Sequence, residues 1–358
     1  MKKVGLIILG VLIGLSLIEL LVQLFLPQPP FNQDPLNRGL FTQPGSYPYQ
    51  TPEFSTVVQV NAHGYVDDEW TEKSKHRSLI IGDSFVQAAQ VPLKSGLGRQ
   101  LKMRLPNQEF LSMGVPGAGT TTAVELVKRD AIALQVDSIY LGFLLSNDIF
   151  NNHGQLDTKD DKPYRNLRGD TLEAYKPIAI PRYLLLQKSH LFRLVLRGFI
   201  KNDVQKSRMP PNGHPTPFDV YQEPRSPTWK EAWTITELLL KELSEWAQGN
   251  EIQLGFFLIP AQHDVDPDNW SEKVEKWPSL RHHSPQSTHA KALKMMSQIA
   301  PTCDLFDAFT NQPQRFYFPV DGHWTALGHQ QAAEHLVPFI ERLNTGPIEM
   351  LEYDYSGK

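Results

Sequence analysis

Hydrophobic positions along this chain change period several times, and each change marks an element. Residues 4–26 are predominantly apolar, with Glu19 their only ionisable side chain. At 1.5 Å per residue such a helix reaches roughly 35 Å, enough to cross the ~30 Å hydrocarbon core of a bilayer. Residues 27–55 show little apolar periodicity and are rich in Pro, Gln, Asn and Gly, which predicts a linker. From Arg77 onward short apolar runs alternate with helical spacing. Strands are predicted over 78–81, 109–113, 137–143, 252–259 and 303–306, and helices over 93–105, 120–134, 229–248, 290–299 and 325–343. The rhythm breaks over about 153–227. Unbroken apolar strands separated by helices predict a mainly parallel sheet covered on both faces. The expected organisation is an anchor over 1–26, a linker over 27–55, one α/β domain over 56–345 with an insertion at about 153–227, and a tail over 346–358.

Charge sets the orientation of the anchor. Lys2 and Lys3 precede the apolar segment and the first basic residue after it is Arg38, so the positive-inside rule places the N-terminus in the cytoplasm and the domain outside. The segment is longer than a secretory h-region, and it runs into Pro27 with no small-x-small cleavage site, which favours a retained single-pass anchor over a cleaved signal peptide. No cysteine follows it, which excludes a lipoprotein anchor. Either reading exports the domain. Across 358 residues, 35 basic and 39 acidic side chains give a net charge of −4, without the positive field that nucleic acid requires. A single cysteine, Cys303, excludes an intramolecular disulfide framework.

Chemistry concentrates at predicted strand ends. Gly82-Asp83-Ser84-Phe85 follows the first strand of the alternating region. In a parallel sheet the crevice beyond the carboxyl ends of the strands is where ligands bind. Taken alone, Asp83 or Ser84 reads as a helix cap. The second strand ends in the glycine-rich run from Gly114 to Gly119, the third in Ser146-Asn147-Asp148, and Asp321-Gly322-His323-Trp324 precedes the last helix. Hydroxyl, backbone N–H groups, side-chain amide, carboxylate and imidazole are the parts of acyl transfer.

These blocks, in this order, resemble the SGNH (GDSL-type) hydrolase family, and Asn61-Ala62-His63-Gly64-Tyr65 resembles the lead-in of its bacterial membrane-anchored members. The resemblance runs from about residue 61 to 343, with the inserted middle uncovered. It implies a three-layer α/β/α flavodoxin-like sandwich and serine esterase or acyltransferase chemistry. It assigns Ser84 as nucleophile, His323 as base and Asp321 as its carboxylate partner. The oxyanion hole falls to Ser84, Gly117 and Asn147, with Gly114 an alternative register for Gly117. Two departures stand out. Ser112 occupies a position where asparagine commonly opens the second block, and one residue instead of two separates Asp321 from His323. Exported acetyltransferase-like relatives carry Asp-x-His-Trp, the closer resemblance.

The expected activity is hydrolysis of O-acyl esters, acetyl foremost, at the cell envelope. The expected partners are an ester-bearing small molecule or a cell-surface glycan, with envelope polysaccharide machinery if acyl groups must be delivered. Transfer of acetyl to an extracellular polysaccharide, and a non-catalytic binding or assembly role, are the alternatives. No metal or organic cofactor is expected. Asp321, His323, His329 and the His282-His283 pair do not make a convergent ligand set by spacing. Asp148 reads as a turn cap, and His263 and Asp264 as loop polarity at the pocket rim. Residues 188–201 interleave Lys188, Arg193, Arg197 and Lys201 with apolar positions, the pattern of a helix packed on the domain, a lid or a membrane-surface segment. Trp229, Trp233 and Trp246 read as packing, and the aromatic run at Phe316, Tyr317 and Phe318 as a wall of the acyl pocket.

Overall fold

The computed structural model describes residues 2–26, 34, 36–37, 41–157, 163–175, 189–195, 213–223 and 225–345. Helix α1 (Lys2–Phe25) carries a 23-residue span, Lys3–Phe25, that is long and apolar enough to cross a membrane. Most of its apolar side chains point away from the protein, as lipid contact demands. A hairpin follows, β1 (Gly45–Gln50) and β2 (Ser55–Val60). The linker reading of 27–55 therefore fails from Gly45 onward. These strands bury few side chains, chiefly Val58 and Val60 against Val66 and Ala89, and so carried little apolar signal.

Next come β3 (His76–Gly82), α2 (Ser84–Gln87), α3 (Leu97–Arg104), β4 (Gln108–Gly114), α4 (Thr120–Asp130), β5 (Ser138–Leu144) and α5 (Asp148–Asn151). The predicted helix over 93–105 breaks at Gly96, behind a short 3-10 turn. Within the insertion, β6 (Tyr164–Arg168) and β7 (Thr171–Tyr175) form a second antiparallel hairpin. Arg165 of that hairpin pairs with Glu125 on α4, and Leu167 and Leu172 pack on the core, so it lies on the domain. Of the basic amphipathic stretch, Lys188, Arg197 and Lys201 lie outside the described residues. In its described part Glu19 accepts hydrogen bonds from the Ser189 hydroxyl at 2.6 Å and the His190 N–H at 2.6 Å, so the carboxylate in the apolar span is partnered.

The second half contains α6 (Pro227–Gly249), β8 (Gln253–Ile259), α7 (Gln262–Val265), α8 (Pro267–Lys276), α9 (Pro285–Ser297), β9 (Thr302–Asp304), α10 (Phe306–Phe309) and α11 (Ala326–Thr345). Five strands form one parallel sheet in the order β4-β3-β5-β8-β9. Every residue of β5 is buried, the condition of a strand covered on both faces. Helix α3 packs against α11 and α4 against α6, giving the two helical layers of an α/β/α sandwich. Trp229 and Trp233 are buried in the core, as packing residues should be. The strand order reverses beside β3: β4 lies on one side and β5, β8 and β9 on the other. In doubly wound sheets the crevice at such a switch point is the ligand site. Ser84 follows β3 and Asn147 follows β5, so both sit there.

Candidate active site

Ser84 opens α2, a helix of one turn set on the end of β3. Asp83 caps it, its Oδ1 accepting from the Phe85 N–H at 2.9 Å. The same carboxylate's Oδ2 accepts from the Asn147 Nδ2 at 3.2 Å. Asp83 thus ties the strand end that carries the hydroxyl to the one that carries the amide. Burial raises the pKa of this carboxyl, while the Phe85 N–H and the charge at His323 pull it back down. Close packing fixes the turn from beneath. A Cβ on Gly114 would lie 2.0 Å from the Gln87 backbone N, so β4 reaches α2 through a glycine.

Ser84 Oγ lies 2.7 Å from His323 Nε2, and His323 Nδ1 lies 2.6 Å from Asp321 Oδ1. The three groups are half-buried, at the surface yet partly out of water. Their loop is a tight reversal. Gly322 N–H donates to the Phe318 carbonyl at 2.8 Å, Phe318 N–H to the His323 carbonyl at 2.9 Å, and Thr325 N–H to the Phe316 carbonyl at 2.8 Å. Gly322 has φ of 81°, in the region that favours glycine, and this bend lets Asp321 reach the imidazole across a single intervening residue. Trp324, fully buried, stacks on Phe309 at 5.1 Å and meets Phe85 edge-on at 5.1 Å, pinning the loop to the core.

A cleft of about 320 Å³ opens at these groups. Ser84, Asn147, His263, Lys273, Val320 and His323 are among its lining residues. Gly117, with φ of 65°, sits in the loop after β4 and is not among the lining residues. Gly114 is taken up by packing against α2. The Asp148 carboxylate accepts from the Leu144 N–H and holds the turn after β5. His263 does line the cleft. Tyr221 Oη stands 2.9 Å from its Nε2 and donates to Asp264 Oδ1 at 2.6 Å, while burial lowers the pKa of His263 and raises that of Asp264. His329 sits apart, buried edge-on to Trp324 at 5.5 Å, and burial pulls it down to about 3, so it stays neutral.

Two participants were invisible in the sequence. Asp83 read only as a cap, and its bridge to Asn147 needs β3 and β5 to be neighbours. Glu53, in the turn of the β1–β2 hairpin, accepts from the Val320 N–H at 2.7 Å and the Asp321 N–H at 2.8 Å. Phe54 packs on Phe318 with ring centres 5.0 Å apart, so the hairpin braces the Asp321 loop from outside the sheet.

No family model matches this chain, and no curated protein sequence does. Solved structures similar to it include an acetyl xylan esterase, 13% identical, covering 74% of this chain and 99% of that one with a TM-score of 0.40. Another is a member of the lipolytic protein G-D-S-L family from Veillonella parvula, 13% identical, with 75% and 99% covered and a TM-score of 0.37. A third is a lipase/acylhydrolase from Enterococcus faecalis, 14% identical, with 74% and 95% covered and a TM-score of 0.35. Likenesses this distant leave the chemistry of the site to its own geometry. That geometry can activate a hydroxyl. An imidazole within hydrogen-bond reach of a serine, itself oriented by a carboxylate, is the arrangement that removes the serine proton as the oxygen attacks.

Proposed function

We propose that this chain is a serine esterase of the SGNH type, acting on O-acyl esters through an acyl-enzyme on Ser84. The observation that carries the proposal is the continuous relay of 2.7 Å from Ser84 to His323 and 2.6 Å from His323 to Asp321. His323 Nε2 accepts the hydroxyl proton while Ser84 Oγ bonds to the ester carbonyl carbon. Asp321 holds Nδ1–H and stabilises the imidazolium that forms. The carbonyl oxygen becomes an oxyanion, received by the Ser84 N–H and the Asn147 amide, with Gly117 as a further donor. The imidazolium then protonates the departing alcohol. Water repeats the sequence on the acyl-enzyme and releases the carboxylic acid. None of these steps requires a metal or organic cofactor.

The cleft of about 320 Å³ has room for an acyl group together with part of its alcohol. Gln262, Asn269 and Lys273 at its wall offer amide and ammonium groups that suit a sugar hydroxyl on the alcohol side. With α1 as a single-pass anchor and the domain outside the membrane, an acylated envelope glycan is the substrate class we propose. A non-catalytic role would predict Asp321 and His323 turned away from Ser84, and their distances count against it.

The test is turnover of p-nitrophenyl acetate by the full chain in detergent, beside Ser84→Ala, with intact-mass detection of fluorophosphonate labelling. Turnover and a single adduct, both lost in Ser84→Ala, are expected. A folded protein that neither turns over nor labels would sink the proposal.

A further inference from the structure

Outside the Ser84 cleft, two imidazoles and a carboxylate converge in a buried cluster. His214 lies in the later part of the insertion, Asp219 on the 3-10 helix Thr216–Tyr221, and His283 just after the 3-10 turn Pro278–His282 between α8 and α9. Asp219 Oδ1 is 2.8 Å from His214 Nε2 and 3.9 Å from His283 Nε2. One candidate ligand atom from each residue lies within 4.8 Å of the others. Their side chains are 3%, 8% and 4% exposed for His214, Asp219 and His283.

A hydrogen-bonded network accounts for part of this. His214 Nε2 meets Asp219, and His214 Nδ1 meets Ser279 Oγ at 2.8 Å. It does not account for His283. Among the described residues neither ring nitrogen of that buried imidazole has a hydrogen-bond partner, and 3.9 Å to Asp219 is too long to be one. Leaving a buried polar ring unsatisfied is costly, and such a group calls for an explanation.

The geometry points to a divalent-cation site of the zinc class, with His214 Nε2, Asp219 Oδ1 and His283 Nε2 as ligands. Bond lengths near 2.0–2.2 Å in a tetrahedral arrangement place ligand atoms about 3.3 Å apart. The observed 2.8 Å and 3.9 Å bracket that value and the remaining pair lies within 4.8 Å, so side-chain shifts of about 0.5–1.5 Å complete the set. Two imidazoles with one carboxylate suit zinc better than the all-oxygen shells of magnesium or calcium. With an ion on Nε2, the His214 proton moves to Nδ1, where Ser279 Oγ at 2.8 Å can accept it, the outer-shell contact that ligating histidines usually make. A bound cation gives His283 the partner it lacks. It also staples the 3-10 helix to the loop before α9, and Tyr221 of that helix holds His263 in the wall of the cleft.

The experiment uses the full chain in detergent, purified through a histidine-free tag, stripped with chelator and titrated with zinc against a chromophoric competitor. We expect about one zinc per chain at submicromolar Kd, and a rise in Tm of roughly 5 °C with zinc but not with magnesium. His283→Gln and Asp219→Asn should weaken binding at least ~100-fold, and Ser279→Ala about 10-fold. His335→Gln, an exposed imidazole elsewhere, should change nothing. Circular dichroism checks the fold of each variant. Should a ligand variant not fold, Ser279→Ala and the wild-type titration decide. Wild-type protein that takes up no zinc below about 10 µM overturns the proposal. So does unchanged affinity in the folded ligand variants.

Discussion

Removing the Glu53 carboxylate should slow turnover without touching the cleft. Glu53 accepts two backbone N–H groups, those of Val320 and Asp321, at 2.7 and 2.8 Å, and makes no contact with Ser84 or His323. Hydrogen bonds to a charged acceptor contribute about 1.5–3 kcal/mol when shielded. Here Val320 is 87% exposed and water can take over both donors, so the pair is worth about 1–2 kcal/mol. That energy holds the Asp321 loop in the conformation that keeps Asp321 2.6 Å from His323. Losing it raises the population of open loops by roughly 5–30-fold relative to closed ones, at 1.4 kcal/mol per decade. If the closed loop is barely favoured in the variant, Glu53→Ala lowers kcat for p-nitrophenyl acetate by up to that factor and leaves KM within about twofold. Glu53→Gln keeps one acceptor oxygen and should fall between. The hairpin itself survives, because Thr51 Oγ1 accepts from the Glu53 and Phe54 N–H groups at 3.2 Å each. Steady-state kinetics and the rate of fluorophosphonate labelling are the assay. Wild-type kcat in Glu53→Ala, or a defect confined to KM, would refute the bracing role.

Three further outcomes are expected. Asp321→Asn presents an amide to His323 Nδ1 and favours the wrong tautomer, so kcat should drop by about 10²–10⁴ with the fold intact by circular dichroism. Gly114→Ala puts a methyl 2.0 Å from the Gln87 backbone N, which should cost about 3 kcal/mol in urea unfolding and, by moving α2, also reduce fluorophosphonate labelling of Ser84. Burial pushes the Asp67 carboxyl up to about 6, although it accepts from the Ser112 N–H and the Trp70 indole. A raised acid contributes stability that is present below its unfolded pKa of 3.8 and is lost as the pH rises through about 6. Wild type should therefore lose up to about 3 kcal/mol relative to Asp67→Asn between pH 4 and 7, and parallel urea profiles for the two proteins would contradict this.

The parallel sheet was legible because its strands are mostly buried on both faces and read as apolar runs, as 139–143 does. The β1–β2 hairpin was not, since it contains Gly45 and Pro48 and buries only the odd inward valine. Helix α8 was not legible either: it opens on Asp266-Pro267, a cap followed by proline, but it has no buried residue to set an apolar period. Site residues divide the same way. Those at predicted strand ends could be placed in one crevice by topology alone. Glu53, by contrast, meets its partners across most of the chain, and no local pattern encodes that.

The spacing of Asp321 and His323 shows where sequence reasoning needed one more physical fact. Two residues apart on an extended segment, both side chains share a side, which permits contact without ensuring it. The observed loop is not extended. It reverses at Gly322, whose φ of 81° leaves open space where a side chain would begin, so strain and not crowding selects glycine. The reversal lets Asp321 Oδ1 reach the His323 ring at 2.6 Å, and Trp324 buries itself on the next step and locks the turn. The run Asp-Gly-His-Trp is therefore a working unit. In the proposed mechanism carboxylate and imidazole supply the chemistry, while glycine gives the bend that brings them together and tryptophan the anchorage that keeps Nε2 aimed at Ser84.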